Sequence, residues 1–139
     1  MDVKELIIGG YYSLFQGNKD GSDCIVKVTS VNKYEVGIEG CEEYDTCMPN
    51  ILFPIDITRE MLEKNGFTCD DAYAIVKLDE HSFLEYYYFE NRLRKIWKGV
   101  DEWQNHSVVR DITFQCNCRY VHELQSAFRL AMVDKEIVP

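Results

Sequence analysis

IDITREMLEKNGF, residues 55–67, is the stretch for which the sequence predicts structure residue by residue. Thr58 is expected to be the N-cap of a short helix, because its hydroxyl can accept a hydrogen bond from a free amide of the first turn. Glu60 then places a negative charge at the positive end of the helix dipole. At the other end, Gly66 is expected to adopt a left-handed backbone conformation that closes a Schellman motif.

Leu62 is the residue that connects the two ends of this helix. It occupies the fourth helical position, where it can pack against Ile57 as a hydrophobic staple, and Phe67 can fold back onto it after the Schellman turn. Because a helix of about two turns is not stable alone, Leu62 and Phe67 are expected to dock between larger layers. An alternative interpretation makes Glu60 and Glu63 a catalytic carboxylate pair, but capping and a solvated helix face account for them better.

The chain on both sides of this helix contains short alternating segments that are typical of antiparallel strands. Those before the helix predict a bent antiparallel sheet, either open or barrel-like, from segments 9–15, 24–30, 33–38 and 51–55. Those after it predict a second antiparallel sheet and a C-terminal amphipathic helix, from segments 73–78, 83–89, 91–97, 108–118 and 120–133. The predicted fold class is therefore α+β.

One domain is expected for residues 1–139, because a chain of this length can bury a core without disulfides or metals. Within it we predict an N-terminal β lobe of about 1–67 and a C-terminal lobe, made of a β-hairpin and a helix, of about 68–139. No repeat, low-complexity segment or linker separates the two lobes, so we expect them to share one core.

The charge and composition exclude some classes of protein. A net charge of -9 argues against direct nucleic-acid binding, which needs a positive surface against the phosphates. The N-terminus has neither the basic patch of a signal peptide nor an apolar run long enough to span a membrane, so we expect a cytoplasmic protein that does not contact membranes. In that reducing compartment the six cysteines are expected to be free thiols.

The residues that could carry chemistry do not form a known motif. Five residues separate Cys41 from Cys47 and one residue separates Cys116 from Cys118, whereas structural zinc sites use knuckles with two to four intervening residues. No nucleophile elbow and no phosphate-binding glycine loop is present. The histidines have no paired spacing and are expected at the surface or its boundary: His81, His106 and His122. We therefore predict no catalytic residue, no metal and no cofactor.

The most unusual local feature is an aromatic and basic hairpin. FLEYYYF at 83–89 is followed by several basic residues and a tryptophan, in a chain that is otherwise acidic. Tyrosine, tryptophan and arginine dominate the hot spots of protein interfaces, which favours a binding role. The candidate binding residues are Tyr86, Tyr88, Arg92, Arg94, Lys95, Trp97 and Trp103. The structural alternative is an ordinary half-buried edge strand protected by charge, with Leu93 and Trp97 on one face.

Three functional hypotheses follow. We favour a non-enzymatic interaction module that binds another protein through this hairpin, as a monomer or a homodimer. The second hypothesis is an acidic decoy that imitates DNA and occupies a DNA-binding or restriction protein, which predicts salt-dependent binding and carboxylates clustered on one face. The third is an enzyme without a recognised motif, which a cleft holding a buried carboxylate or histidine with a shifted pKa would favour.

Three segments together resemble an uncharacterised family of small proteins from Bacteroides and its prophages. ELIIGGYYS at 5–13 resembles the family's LRIGNYV opening, FPIDITREMLEKNGF at 53–67 its PIPLTEEWLLKFGF segment, and YVHELQSAFRLA at 120–131 its YVHQLQNLYFAL ending. Their order and spacing also match, whereas residues 69–118 depart from the pattern. The resemblance implies a cytosolic, phage-linked protein of unknown role, and it transfers no catalytic residue to this chain.

Overall fold

A computed structural model describes residues 6–99 and 109–139 of the chain. The first sheet consists of β1 (Tyr11–Leu14), β2 (Cys24–Val31), β3 (Val36–Glu39), β4 (Thr46–Cys47) and β5 (Leu52–Pro54). Helix α1 (Arg59–Lys64) follows it. The second sheet consists of β6 (Thr68–Cys69), β7 (Tyr73–Lys77), β8 (Ser82–Tyr87), β9 (Arg92–Gly99) and β10 (Val109–Asn117), and helix α2 (Val121–Leu130) follows.

All strand pairs in the described residues are antiparallel, and the α+β fold class predicted from the sequence is confirmed. The spatial order is β4-β3-β2-β1-β5 in the first sheet and β10-β9-β8-β7-β6 in the second. The first sheet is open rather than closed into a barrel, because β4 and β5 are its two edges and no described ladder joins them. Pro54 lies in β5, in agreement with the tolerance of edge strands for proline.

Helix α1 has the caps that the sequence predicts. The Thr58 hydroxyl accepts a hydrogen bond from the Met61 amide at 3.2 Å. Gly66 has φ +91°, and beyond it the Phe67 amide donates to the Leu62 carbonyl at 3.0 Å, which is the long bond of a Schellman motif. Leu62 is fully buried, so both caps direct the chain around one core residue.

Replacing Thr58 by alanine is expected to lower the free energy of unfolding by about 1 kcal/mol, because one first-turn amide loses its acceptor. Thr58→Ser keeps the hydroxyl oxygen and should stay close to the parent protein. Urea denaturation of the three proteins measures the difference. Equal midpoints for Thr58→Ala and the parent would show that the cap contributes nothing to stability.

The buried side chains form two clusters rather than the single shared core that we expected. The first cluster lies inside the bent first sheet and contains Tyr12, Leu14, Val26, Val28, Val36, Ile38 and Leu52. The second lies between the second sheet, both helices and the C-terminal segment, and contains Leu62, Phe67, Leu84, Tyr86, Leu93, Leu124, Phe128 and Ile137. Both helices contribute to the second cluster, whereas the first is formed by side chains of the first sheet together with Leu6.

The two lobes meet between β1 and the start of α2. The His122 ring stacks between Tyr12, with ring centroids 5.0 Å apart, and Tyr120, at 5.8 Å. Alongside them the Val121 amide donates to the Ile55 carbonyl at 2.8 Å. His122 is therefore buried at the junction of the lobes, and the expectation of a surface or boundary histidine was wrong because that junction is formed by segments far apart in the sequence.

Candidate functional site

Strands β8 and β9 form the hairpin that the sequence predicted. Arg94 lies directly opposite Glu85 in the register, and Arg92 lies opposite Tyr87. At the hairpin end, Arg92 also forms an ion pair of 3.3 Å with Glu90. Because side chains alternate along a strand, the register gives the hairpin two chemically different faces.

The inner face of this hairpin is part of the core. Leu93 is fully buried in the second cluster. The Lys95 ammonium donates to the carbonyl of Ala131 at 3.0 Å, where a cation stabilises the C-terminal end of α2. Tyr86 is 2% exposed and its hydroxyl donates to the Cys118 carbonyl at 2.8 Å. Tyr86 and Lys95 are therefore structural, and the sequence-based binding set has to be corrected by removing them.

The remaining aromatic candidates are dispersed. Tyr88 is half-buried and packs edge-on against Tyr86, with ring centroids 6.2 Å apart. Trp97 lies near the far end of β9, 36% exposed, with its ring 5.4 Å from that of His81. Trp103 lies outside the described residues. The structure thus brings together only the arginines of the predicted set.

The outer face of the second sheet collects those arginines with aromatic side chains from neighbouring strands. It lies opposite the face on which α1 and α2 pack. We define this basic-aromatic face by the outward positions of the three central strands: Tyr73, Ile75, Lys77, Phe83, Glu85, Tyr87, Arg92, Arg94, Ile96 and Lys98. Glu85 and Ile96 are buried on this face, and the other side chains are partly or fully exposed.

Arg94 is the best-positioned cation of the basic-aromatic face. Its guanidinium carbon lies 5.0 Å from the centre of the Tyr87 ring, and that ring stacks on Tyr73 at 5.6 Å. On the other side, Arg94 Nε donates to Gln115 Oε1 at 3.0 Å. The Tyr87 hydroxyl in turn donates to Glu85 Oε1 at 2.9 Å. Four adjacent strands therefore hold one arginine in place by a cation–π contact and hydrogen bonds.

Further apolar side chains and positive charge lie on the same face as Arg94, towards the other end of the hairpin. The Lys98 ammonium sits 4.8 Å from the centre of the Phe83 ring. Ile96, opposite Phe83 in the register, is fully buried but belongs to neither core cluster. Its partner on β10, Ile112, is 52% exposed. Ile96 is therefore not available to a partner, whereas the cations, the partly exposed rings and Ile112 are, and such a composition suits protein binding.

Several of these residues were missed by the sequence analysis. Phe83 and Tyr87 were visible as alternate positions of FLEYYYF, but the sequence does not tell which alternate set faces outward. Tyr73 and Gln115 come from strands on either side of the hairpin. Only the strand register places Gln115 beside Arg94 and Tyr73 against Tyr87, and no local pattern indicates either contact.

The cysteine thiols whose pKa is shifted are not activated as nucleophiles. Burial raises the pKa of the thiols of Cys24, Cys47, Cys116 and Cys118, and a neighbouring thiol adds a smaller effect at several of them. A raised pKa lowers the fraction of thiolate, which is the reactive form. Over residues 6–99 and 109–139, no group of three or more histidine, cysteine or acidic side chains is arranged to hold a metal ion.

Stability is expected to fall at alkaline pH because burial raises the pKa of the Cys118 thiol and the Tyr86 hydroxyl above 9.0 and 10.0, respectively. Below those values both groups are neutral in the folded and the unfolded chain. As the pH rises further, the unfolded chain ionises first, so the free energy of unfolding decreases until the folded groups ionise. Urea denaturation from neutral to strongly alkaline pH should show this decrease, and Tyr86→Phe should make it shallower. A flat profile would contradict the expectation.

Comparison with protein-family models, with curated proteins and with solved structures found no match. Neither helix in the described part of the chain has the length and apolar character needed to cross a membrane.

Proposed function

We propose that the protein is a non-enzymatic interaction module that binds an acidic segment of another protein through the basic-aromatic face. The observation that carries this proposal is Arg94, which is held between Tyr87 and Gln115 on an outward sheet face. A surface arginine without such support would lose more side-chain entropy on binding.

The charge of the face selects the partner. Its four cations are Lys77, Arg92, Arg94 and Lys98. Its own carboxylate, Glu85, is buried, and Glu90 pairs with Arg92 at the hairpin end, in a chain whose net charge is -9. A positive patch on an acidic protein attracts an acidic partner locally, while the rest of the surface repels it. That contrast orients the approaching partner and raises the rate of its association with the protein at low salt.

The chemistry of the face also suits a carboxylate flanked by apolar groups. An arginine can bind a carboxylate with two parallel hydrogen bonds, which a lysine cannot do. The Tyr73 and Tyr87 rings and the exposed part of Ile112 provide adjacent apolar area. We infer that a partner places an aspartate or glutamate on Arg94 and neighbouring apolar side chains on this area.

Affinity capture from the native host, followed by mass spectrometry, tests the proposal when the parent protein and Arg94→Ala are compared. Removing a central arginine is expected to weaken binding about 30-fold, which corresponds to about 2 kcal/mol. Arg119→Ala is the matched control. Arg119 also packs on a tyrosine, with its guanidinium carbon 5.4 Å from the Tyr120 ring centre, but it lies outside the basic-aromatic face. It should leave binding unchanged.

Two results would contradict the proposal. If Arg94→Ala keeps full affinity and the captured partner is basic, the acidic-decoy hypothesis replaces it. If Arg94→Ala fails to fold while Arg119→Ala folds normally, Arg94 is a structural residue.

The phage-linked cytoplasmic setting implied by the family resemblance is part of the same proposal, and a captured partner encoded by a prophage or acting on phage components would support it.

A further inference from the structure

A second surface, on the first sheet, has the opposite chemistry. A cavity of about 370 Å³ is lined by Leu14, Phe15, Gln16, Gly17, Tyr44, Thr46, Cys47 and Ile51. We propose that this cavity binds an extended peptide segment of a partner protein that presents one large apolar side chain next to lysine or arginine. The inference is independent of the function proposed for the second sheet.

The cavity lies at the open seam of the first sheet. Thr46 and Cys47 belong to β4, one edge of the sheet, whereas Ile51 lies immediately before β5, the other edge. Because the same cavity contacts both edges of the sheet, the two edges approach each other there without forming a ladder. Its volume is within the range of sites that bind small apolar groups.

The interior of the seam is apolar and its rim exposes large side chains. Leu14 at its base is almost fully buried, whereas Phe15 and Tyr44 at its rim are each more than half exposed. The Phe15 ring also meets the exposed Phe53 ring of β5, at a centroid distance of 6.4 Å. Aromatic side chains clustered around a cavity favour the binding of an apolar group, because covering them removes apolar surface from water.

Edge strand β4 favours an extended peptide as the occupant. In the described residues β4 pairs with β3 alone, through Cys47 opposite Val36 and Thr46 opposite Gly37. Its other side offers backbone donors and acceptors to an added strand. An added strand forms main-chain hydrogen bonds and sends alternate side chains into adjacent pockets, and Thr46 and Cys47 line this cavity.

The carboxylates around the seam select positive charge. Asp23 accepts a hydrogen bond of 3.0 Å from the backbone amide of Gln16, which lines the cavity. Glu43 and Asp45 flank Tyr44 in the sequence, and both are exposed. The lining residues themselves include no lysine or arginine. A basic residue next to the inserted apolar side chain would therefore meet opposite charge, whereas an acidic one would be repelled.

Three capped pentapeptides provide the test. One has a central phenylalanine between valines with lysine at both ends, the second has glutamate in place of lysine, and the third has serine in place of phenylalanine. In amide NMR titrations the first is expected to bind at least about ten-fold more tightly than the others. Its largest shifts should fall on residues 15–17 and on Thr46 and Cys47. Equal affinities, or shifts centred on the second sheet, would overturn the proposal.

Variants of the seam complete the experiment. Thr46→Trp fills the cavity from an exposed edge position, and Tyr44→Ala removes part of its rim, so each should weaken the first peptide about ten-fold or more. Thermal melting checks that both variants fold. A folded Thr46→Trp protein that binds as the parent does would overturn the proposal. A dimer that Thr46→Trp dissociates in sedimentation would also overturn it, because a second copy would then be the occupant.

A charge control separates local attraction from net charge. The double variant Glu43→Lys and Asp45→Lys is expected to weaken the lysine peptide about ten-fold. Glu80→Lys with Asp134→Lys changes the net charge equally at two exposed positions outside the first sheet, and it should have little effect. Equal losses in the two double variants would mean that only the overall charge matters. The Arg94→Ala variant should bind the peptide normally, so failure of either proposal can be recognised without the other.

Discussion

Leu62→Ala is expected to lower the free energy of unfolding by about 2–5 kcal/mol. Leu62 is fully buried in the second cluster, and the Phe67 amide that closes the Schellman motif bonds to its carbonyl. Truncation removes apolar contacts that hold α1 against the second cluster. It also leaves a cavity, and the short helix cannot move to fill it because both of its ends are held by caps. Urea denaturation monitored by circular dichroism measures the change.

Leu130→Ala is the control for this substitution. Leu130 is also a helical leucine, at the end of α2, but it is 74% exposed, so its truncation should change the free energy of unfolding by no more than about 0.5 kcal/mol. A loss below about 1 kcal/mol for Leu62→Ala would show that α1 is not part of the cooperative core, and the architecture built around residues 55–67 would lose its basis.

Tyr12→Ala is expected to cost about 3–5 kcal/mol, which is the range for truncating a buried aromatic side chain. Tyr12 has no exposed surface, packs in the first cluster and stacks on His122 of α2. Its hydroxyl accepts a hydrogen bond of 3.0 Å from the Ile7 amide. One side chain thus contributes to the first core, to the junction of the lobes and to the start of the described chain.

Two further variants separate these contributions. Tyr12→Phe removes only the acceptor of the Ile7 amide and should cost about 1 kcal/mol. Tyr34→Ala removes a tyrosine that is 75% exposed and should be close to neutral. Hydrogen exchange adds a test of coupling, because in Tyr12→Ala the core amides of both sheets should lose protection together. Loss confined to the first sheet would show that the clusters unfold independently.

The two proposed binding surfaces differ in sign and lie on different sheets. We propose that Arg94 and its neighbours bind carboxylates on the outer face of the second sheet, whereas Asp23, Glu43 and Asp45 lie around the open seam of the first. A protein with both surfaces can hold two partners of opposite charge at once. Binding at each surface should weaken as the ionic strength rises, because exposed charges contribute to both.

The local elements were determined by the sequence itself. Thr58 and Gly66 define the ends of α1 through contacts made within a few residues, so a single chain segment contains all the information for them. Eight of the ten described strands were likewise visible in the alternation of apolar and polar residues, and Pro54 correctly indicated an edge strand. Strands β4 and β6 lie outside the predicted segments, because two residues are too few to show alternation. Short-range sterics and hydrogen bonding decide such features before any tertiary contact forms.

The sites were decided by the tertiary structure alone. Arg94 contacts Tyr87 and Gln115 because register aligns strands distant in the sequence, and Tyr87 stacks on Tyr73 for the same reason. The irregularity between Ile112 and Phe114 shifts that register within β10. The sequence pattern grouped Tyr86 with Arg94, but the two lie on opposite faces of the sheet. Tyr86 lies opposite the buried Leu93, whereas Arg94 lies opposite Glu85 on the outer face. The seam cavity likewise exists only because the first sheet bends without closing. Which side chains share a surface depends on long-range pairing, and local patterns do not encode it.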